Sequence, residues 1–595
     1  MRETELRRTS PELPARAAAP SMRAVDDRYK WVALSNTTLG VLMAVLDSTI
    51  MLIALPDIFR GIRINPLQPG NSFYLLWMIL SFMIVSSVLV VGLGRLGDLF
   101  GRVRMYNLGF AIYTFFSLLL TVTWMSGRAA AIWLVVMRVF QGVGAAFLVA
   151  NSAAILTDAF PENQRGLALG INQIAGLAGS FIGLVVGGIL APIEWRLIFL
   201  VSVPIGLFGT VWAYLKLREV GPPREKPRID WAGNALFALA LVGIMVGITY
   251  GIQPYGHSSM GWTSPFVLGC LVGGAVLLGV FCVVELRVAE PMFRLALFRI
   301  RAFTAGSLST LLAAIGRGGL MFMLIIWLQG IWLPRHGYDF ARTPLWAGIY
   351  MLPLTAGFIV AGPVSGILSD RYGSRPFASG GMLAAAASFG LLEVLPVNFS
   401  YAPFALLLFL NGLAMGAFAS PNRAGVMNSL PARHRGVGAG MNSTFQNSAQ
   451  VLSIGIFFTL MIVGLASSLP AALEHGLRAE GVPAAAASAA AHLPPVSTLF
   501  AAFLGYDPVK HLLGSAVLAH LPAHASAALE AHSFFPRLIA APFRRGLRVS
   551  FAFAAGACLV AAAASWLRGG RYVYHEVEPS APDGRYGVAP ADGGV

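Results

Sequence analysis

Fourteen apolar runs recur along the chain, at about 31–56, 72–93, 105–125, 131–157, 166–192, 196–217, 231–252, 264–286, 302–333, 344–368, 377–396, 401–421, 436–466 and 549–567. Each is long enough to cross the ~30 Å hydrocarbon layer of a bilayer as a helix, the form in which a single segment satisfies its own backbone N–H and C=O groups. With 56% hydrophobic and only 12% charged residues in 595, the chain is not a soluble globule. The expected fold is an all-α polytopic membrane protein of about fourteen transmembrane helices, its first partner the lipid bilayer.

A net charge of +15 could suggest nucleic acid, but its placement does not. About 18 Lys and Arg fall in the short loops that follow even-numbered spans, KLREVGPPREKPR (216–228) among them, against about six in the opposite loops. The positive-inside rule then puts both termini in the cytosol, and no nucleic-acid partner is expected. Residues 1–30 hold no apolar stretch and read as a disordered cytosolic tail without a cleavable signal, and 568–595 reads as a second cytosolic tail. Cys270, Cys282 and Cys558 all lie inside apolar runs and form neither a disulfide framework nor a metal site.

The stretch VGLGRLGDLFGRVR (91–104) has the G-x-G-x-x-G spacing of a dinucleotide loop, but a spanning helix precedes it where a strand is required. Its meaning comes from a second copy. GRLGDLFGR (94–102) returns as GILSDRYGSR (366–375), an offset of 272 that carries Gly94 to Gly366, Asp98 to Asp370 and Gly101 to Gly373. PENQRGLALGIN (161–172) returns as PARHRGVGAGMN (431–442) and FQGVG (140–144) as LNGLA (410–414), both at 270. A nearly constant offset across three segments marks an internal duplication, and eight helices per offset keep both copies in one orientation. The chain therefore divides into the tail 1–30, a six-helix bundle 31–217, two inserted spans in 218–300, a second six-helix bundle 301–567 that includes an outer loop 467–547, and the tail 568–595. A substrate site is expected at mid-bilayer between these pseudo-symmetric bundles.

Four segments together make the sequence resemble the major facilitator superfamily, and within it the fourteen-span drug/proton antiporter branch: LDSTIMLIALP (46–56), GRLGDLFGR (94–102), RVFQGVGAA (138–146) and WRLIFLVSVPIG (195–206). The resemblance covers 31–466 and the last span. It implies multidrug efflux driven by the proton gradient, with no other cofactor, and an arginine of span 4, here Arg138, that assists proton coupling. Two positions depart from the pattern: Leu184 in GLVVGG (183–188) replaces the proline of the antiporter motif, and Leu52 replaces an asparagine. An importer or facilitator on the same fold is the alternative.

Several side chains can be assigned on chemistry as well. Asp98 sits where a helix ends and can face the positive N-terminus of a helix from the other half, such as the one starting near Arg435, latching the cytosolic side; Asp370 is its counterpart. Gly94 and Gly101 allow close helix approach and a tight turn, while Arg102 and Arg104 anchor the loop inside; Gly366, Gly373 and Arg375 belong with Asp370 to the matching cytosolic gating loop of the second copy. Asp47, Arg138 and Arg317 lie deep in apolar runs, where a charge costs at least ~2.5–3.5 kcal/mol and needs a partner, a wet cavity or a task. Asp47 is the proposed proton carrier. Adding 270 to 47 gives 317, so Asp47 and Arg317 can pair across the central cavity; the rival pair is Asp47 with Arg138, which would leave Arg317 to bind an anionic substrate group. Gln141 and Asn411, equivalent in the repeat, and the stripe Asn442, Gln446 and Gln450 of span 13 either face the substrate or join helices. Trp327, Trp332 and Trp346 read as an interfacial aromatic belt, and the loop 467–547 as short amphipathic helices. No H-E-x-x-H motif and no phosphate loop supports an enzyme. The expected molecule is a monomer that exchanges a small amphipathic substrate for protons.

Overall fold

With no water to receive its amides, each apolar run closes its hydrogen bonds within a helix. The computed structural model describes residues 27–65, 71–161, 164–220, 230–253, 255–256, 260–289, 291–431, 435–492, 494–504, 513, 521–531 and 533–568. The tails 1–26 and 569–595 and the linker residues 221–229 lie outside these, together with the readings made of them. Among the described residues, fourteen helices are long and apolar enough to span a bilayer. Spans 1–6 are Arg28–Gly61, Phe73–Phe100, Arg102–Thr121, Gly127–Ala159, Ala168–Leu190 and Leu197–Lys216; spans 7 and 8 are Trp231–Gly251 and Pro265–Glu285. Spans 9–14 are Arg301–Arg335, Thr343–Ser369, Ser374–Val394, Tyr401–Asn428, Val437–Ala466 and Phe534–Trp566.

The duplication is visible in the packing. Span 1 lies on 5, 2 on 4, 3 on 4 and 3 on 6; equivalently, 9 lies on 13, 10 on 12, 11 on 12 and 11 on 14. Small residues set the closest of these approaches. A Cβ at Gly142 would stand 2.8 Å from the Phe82 carbonyl oxygen, and one at Gly412 would collide with the carbonyl of Leu354, the residue 272 positions beyond Phe82. Span 7 packs on both span 2 and span 13, so the inserted pair bridges the two halves.

Turns at one face, here the motif face, carry the repeated loop residues. Span 2 remains helical through Gly94 and Asp98 to Phe100, and the chain turns only at Gly101, whose φ of 102° needs glycine; Gly373 repeats this with φ 88°. Gly94 meets Ala150 at an ordinary 3.6 Å, whereas the tight approach falls at Gly97, against Asn151. The last span starts at Phe534, earlier than the expected 549, because Phe535, Ile539, Phe543 and Leu547 bury one face while Arg537, Arg545 and Arg548 keep the other exposed.

At the opposite, far face, span 9 passes through a π-turn, Leu328–Trp332. The tryptophans expected as a belt are not one. Trp327 and Trp332 are buried and donate Nε1–H to the carbonyls of Val397 (3.2 Å) and Phe399 (2.9 Å), while Trp346 packs edge-on against Tyr338 and tilted against Tyr350. The outer loop contributes helices Leu469–Ala479, Ala484–Ala491, Pro495–Phe503 and Ala523–Glu530. Every residue of Pro495–Phe503 is buried, and Phe503 covers Gly330 of the π-turn.

Candidate functional site

Three clusters hold the candidate residues. The first is inside the N-terminal bundle. Arg138 of span 4 forms an ion pair with Asp47 of span 1, and the two side chains are 1% and 2% exposed. Gln141, one turn after Arg138, completes the network: its Oε1 accepts from Arg138 Nη1 (2.8 Å), and its Nε2 donates to Asp47 Oδ1 (3.2 Å) and to Ser117 Oγ (2.9 Å). Arg138 also donates to the Met78 carbonyl (3.2 Å) and lies 4.4 Å over the Phe82 ring. The pairing of Asp47 with Arg317 is thus not formed here. Asp47 points at span 4 of its own half, so repeat-equivalent depth does not make the two residues face each other. Gln141 likewise lies within the bundle and is not among the residues lining the mid-membrane cavity described next. Ser117 was not singled out in the sequence, although its repeat mate Ser388, 271 residues on, marks it.

The second cluster lines a small mid-membrane cavity between span 5 and spans 9, 10 and 12. Arg317, Asn411, Ser180 and Thr355 are its polar lining, and Arg317 lies 4.6 Å over the Phe358 ring. Among the described residues Arg317 has neither hydrogen bond nor ion pair. Asn411 donates Nδ2–H to Ser388 Oγ (2.7 Å), and its buried Oδ1 has no partner. Of the span 13 stripe, Gln446 and Gln450 are exposed and Asn442 is buried with its Oδ1 free; none lines this cavity, though Gln450 lies against Gly318. On the far side the cavity is roofed by span 5 meeting span 10, where Leu184 packs on Gly348 and Gly188 on Leu345. Beside that roof Gln329 donates to the Ile53 carbonyl at 3.3 Å, joining the halves.

The third cluster is at the motif face. Arg102 Nη2 binds Asp98 (2.7 Å) and its Nη1 binds Asp158 at the end of span 4 (2.6 Å) and the Ala154 carbonyl (3.0 Å). Arg102 is therefore a bridge within the first half and more than a loop anchor. Glu219, unremarked in the sequence, accepts from the Val103 (2.8 Å) and Arg104 (3.2 Å) amides and caps span 3. The second half differs: Arg375 stacks 4.0 Å over Trp566, and Ser374 and Asn428 stand where repeat arithmetic places Arg102 and Asp158. The side chains of Asp370 and Arg435 lie outside the described residues. Among the described residues no group of three His, Cys, Asp or Glu could hold a metal.

Comparison with known proteins follows the same outline. The family model for the Major Facilitator Superfamily matches residues 37–316 and 237–454. The chain is 28% identical over 436 residues to the riboflavin transporter RibZ of Clostridioides difficile, covering 72% of this chain and 88% of that one. It is 28% identical to the tetracenomycin C resistance and export protein of Streptomyces glaucescens, covering 72% and 76%. To the methyl viologen resistance protein SmvA of Salmonella typhimurium it is 29% identical, covering 75% and 86%. Among solved structures, an inward-facing, unoccupied bacterial homolog of the human lysosomal transporter Spinster superposes with a TM-score of 0.55 at 16% identity, covering 91% of this chain and 98% of that one. The last likeness is one of fold.

Proposed function

The chain belongs to the Major Facilitator Superfamily of membrane transporters, and on that premise we propose that it exports small amphipathic compounds across the cell membrane in exchange for protons, by alternating access. The observation that carries this reading is the separation of an enclosed Asp47–Arg138 pair from the mid-membrane cavity lined by Arg317. A proton on Asp47 removes the anion that holds Arg138 and leaves a buried cation short of a partner, which shifts the balance between the bundle's conformations. The substrate occupies a different place, so proton and substrate bind without displacing each other directly. Relatives named for resistance and export support efflux. The Lys and Arg distribution supports a cytosolic motif face and cytosolic termini. Each copy carries both halves of the cavity, which supports a monomer as the working unit. In this scheme Asp98, held in place by Arg102, faces the second half as the cytosolic latch, and the proton gradient is the only driving force.

Proteoliposomes with an imposed pH gradient test it. Substrate should move against the proton flow, and Asp47→Asn should abolish that dependence while retaining substrate exchange at equal pH. Co-movement of substrate and protons in one direction would instead establish an importer, the alternative that Leu184 in place of the motif proline keeps in play.

A further inference from the structure

The two halves hold the same polar framework filled differently. In the first half the amide of Gln141 rests on Ser117, its oxygen receives an N–H from Arg138, and Asp47 supplies the anion. In the second half Asn411 rests on Ser388 in the same way. Repeat arithmetic puts Leu408 where Arg138 would be and Arg317 where Asp47 would be. The second framework therefore has a cation without its anion and an amide oxygen without its donor. Arg317 and Asn411 both line the mid-membrane cavity, with Arg317 its sole ionisable lining residue and Asn411 Oδ1 buried at its wall. The Phe358 ring offsets the guanidinium charge only in part, and up to five N–H donors of Arg317 stay available. A cation entering this space meets an uncompensated like charge in a low-dielectric setting; an anion meets its complement. Met321, Met415 and Phe358 provide a polarisable wall suited to aromatic rings.

We propose that the cavity binds aromatic anions that also carry a hydroxyl or N–H donor, Arg317 taking the anionic group and Asn411 Oδ1 the donor, so that the ligand supplies the second half with what Asp47 and Arg138 supply in the first. The proposal names the substrate class of the exporter read above and rests on that reading for its transport role. It is tested at equilibrium, on purified full-length protein in nanodiscs, with 6-hydroxy-2-naphthoate, its methyl ester and the matching trimethylammonium compound. Wild type should bind the carboxylate about tenfold more tightly than the cation, with the ester between. Arg317→Gln should erase the preference, Arg317→Lys should keep it, and Asn411→Leu should reduce hydroxynaphthoate affinity to that of 2-naphthoate without altering the charge preference. Equal or tighter binding of the cation by wild type, binding of none of the three, or an undiminished preference in well-folded Arg317→Gln overturns the proposal. Because no pH gradient enters the binding assay, an intact charge preference together with gradient-independent transport supports the site and counts against antiport alone.

Discussion

Asp47 and Arg138 cost energy to bury and cost more to separate. Removing one partner of a buried pair strands the other and typically destabilises by ~3–5 kcal/mol, while replacing both is far milder. Asp47→Asn and Arg138→Gln alone should each lower the thermal midpoint of the purified protein, and the double variant should recover much of the loss; thermal unfolding in detergent checks this. At the motif face the bridge is three-membered, so Asp98→Asn leaves Arg102 on Asp158 and the Ala154 carbonyl. Asp98→Asn should therefore reach normal abundance, while loss of the latch charge should lower transport sharply; wild-type rates would remove the latch from the mechanism. Asp47 and Arg138 were legible as buried charges in apolar runs, and so was Arg317. Their partners were legible only as alternatives, because an offset in sequence identifies equivalent positions while side-chain direction within each bundle decides what they touch.

Helices were easier to read than their ends. Span 14 begins fifteen residues before its apolar run because four arginines, at 537, 544, 545 and 548, break the run without breaking the amphipathic face. Span 2 outlasts its apolar run because the glycines of GLGRLG lie in the helix and only Gly101 leaves it. In the second half, the contact of Gly412 on the Leu354 carbonyl has no room for a methyl group. Gly412→Ala should separate spans 10 and 12 at a cost of ~1–3 kcal/mol, seen as a lower melting point, and should also narrow the cavity that Gly412 lines. Gly94→Ala, where the neighbour is at 3.6 Å, should be close to neutral in the same assay.

For the whole molecule, alternating access requires the far-face roof to part. An ideal Cβ at Gly348 stands 3.3 Å from the Leu184 Cβ, close to disulfide range, so Leu184→Cys with Gly348→Cys offers a reversible lock. With Cys270, Cys282 and Cys558 replaced by serine, oxidation should stop transport and reductant should restore it; an oxidised variant that still transports would show that this contact need not open. The duplication announced the two bundles, but not that a segment with no repeat mate would complete the roof. Pro495–Phe503 seats Phe503 on the π-turn at Gly330, and this has a consequence for the order of synthesis. Span 9 leaves the ribosome long before its cover exists. A nascent chain that has threaded thirteen helices still lacks this part of the lid, and the bundle becomes closed at that face only once translation has gone past residue 503.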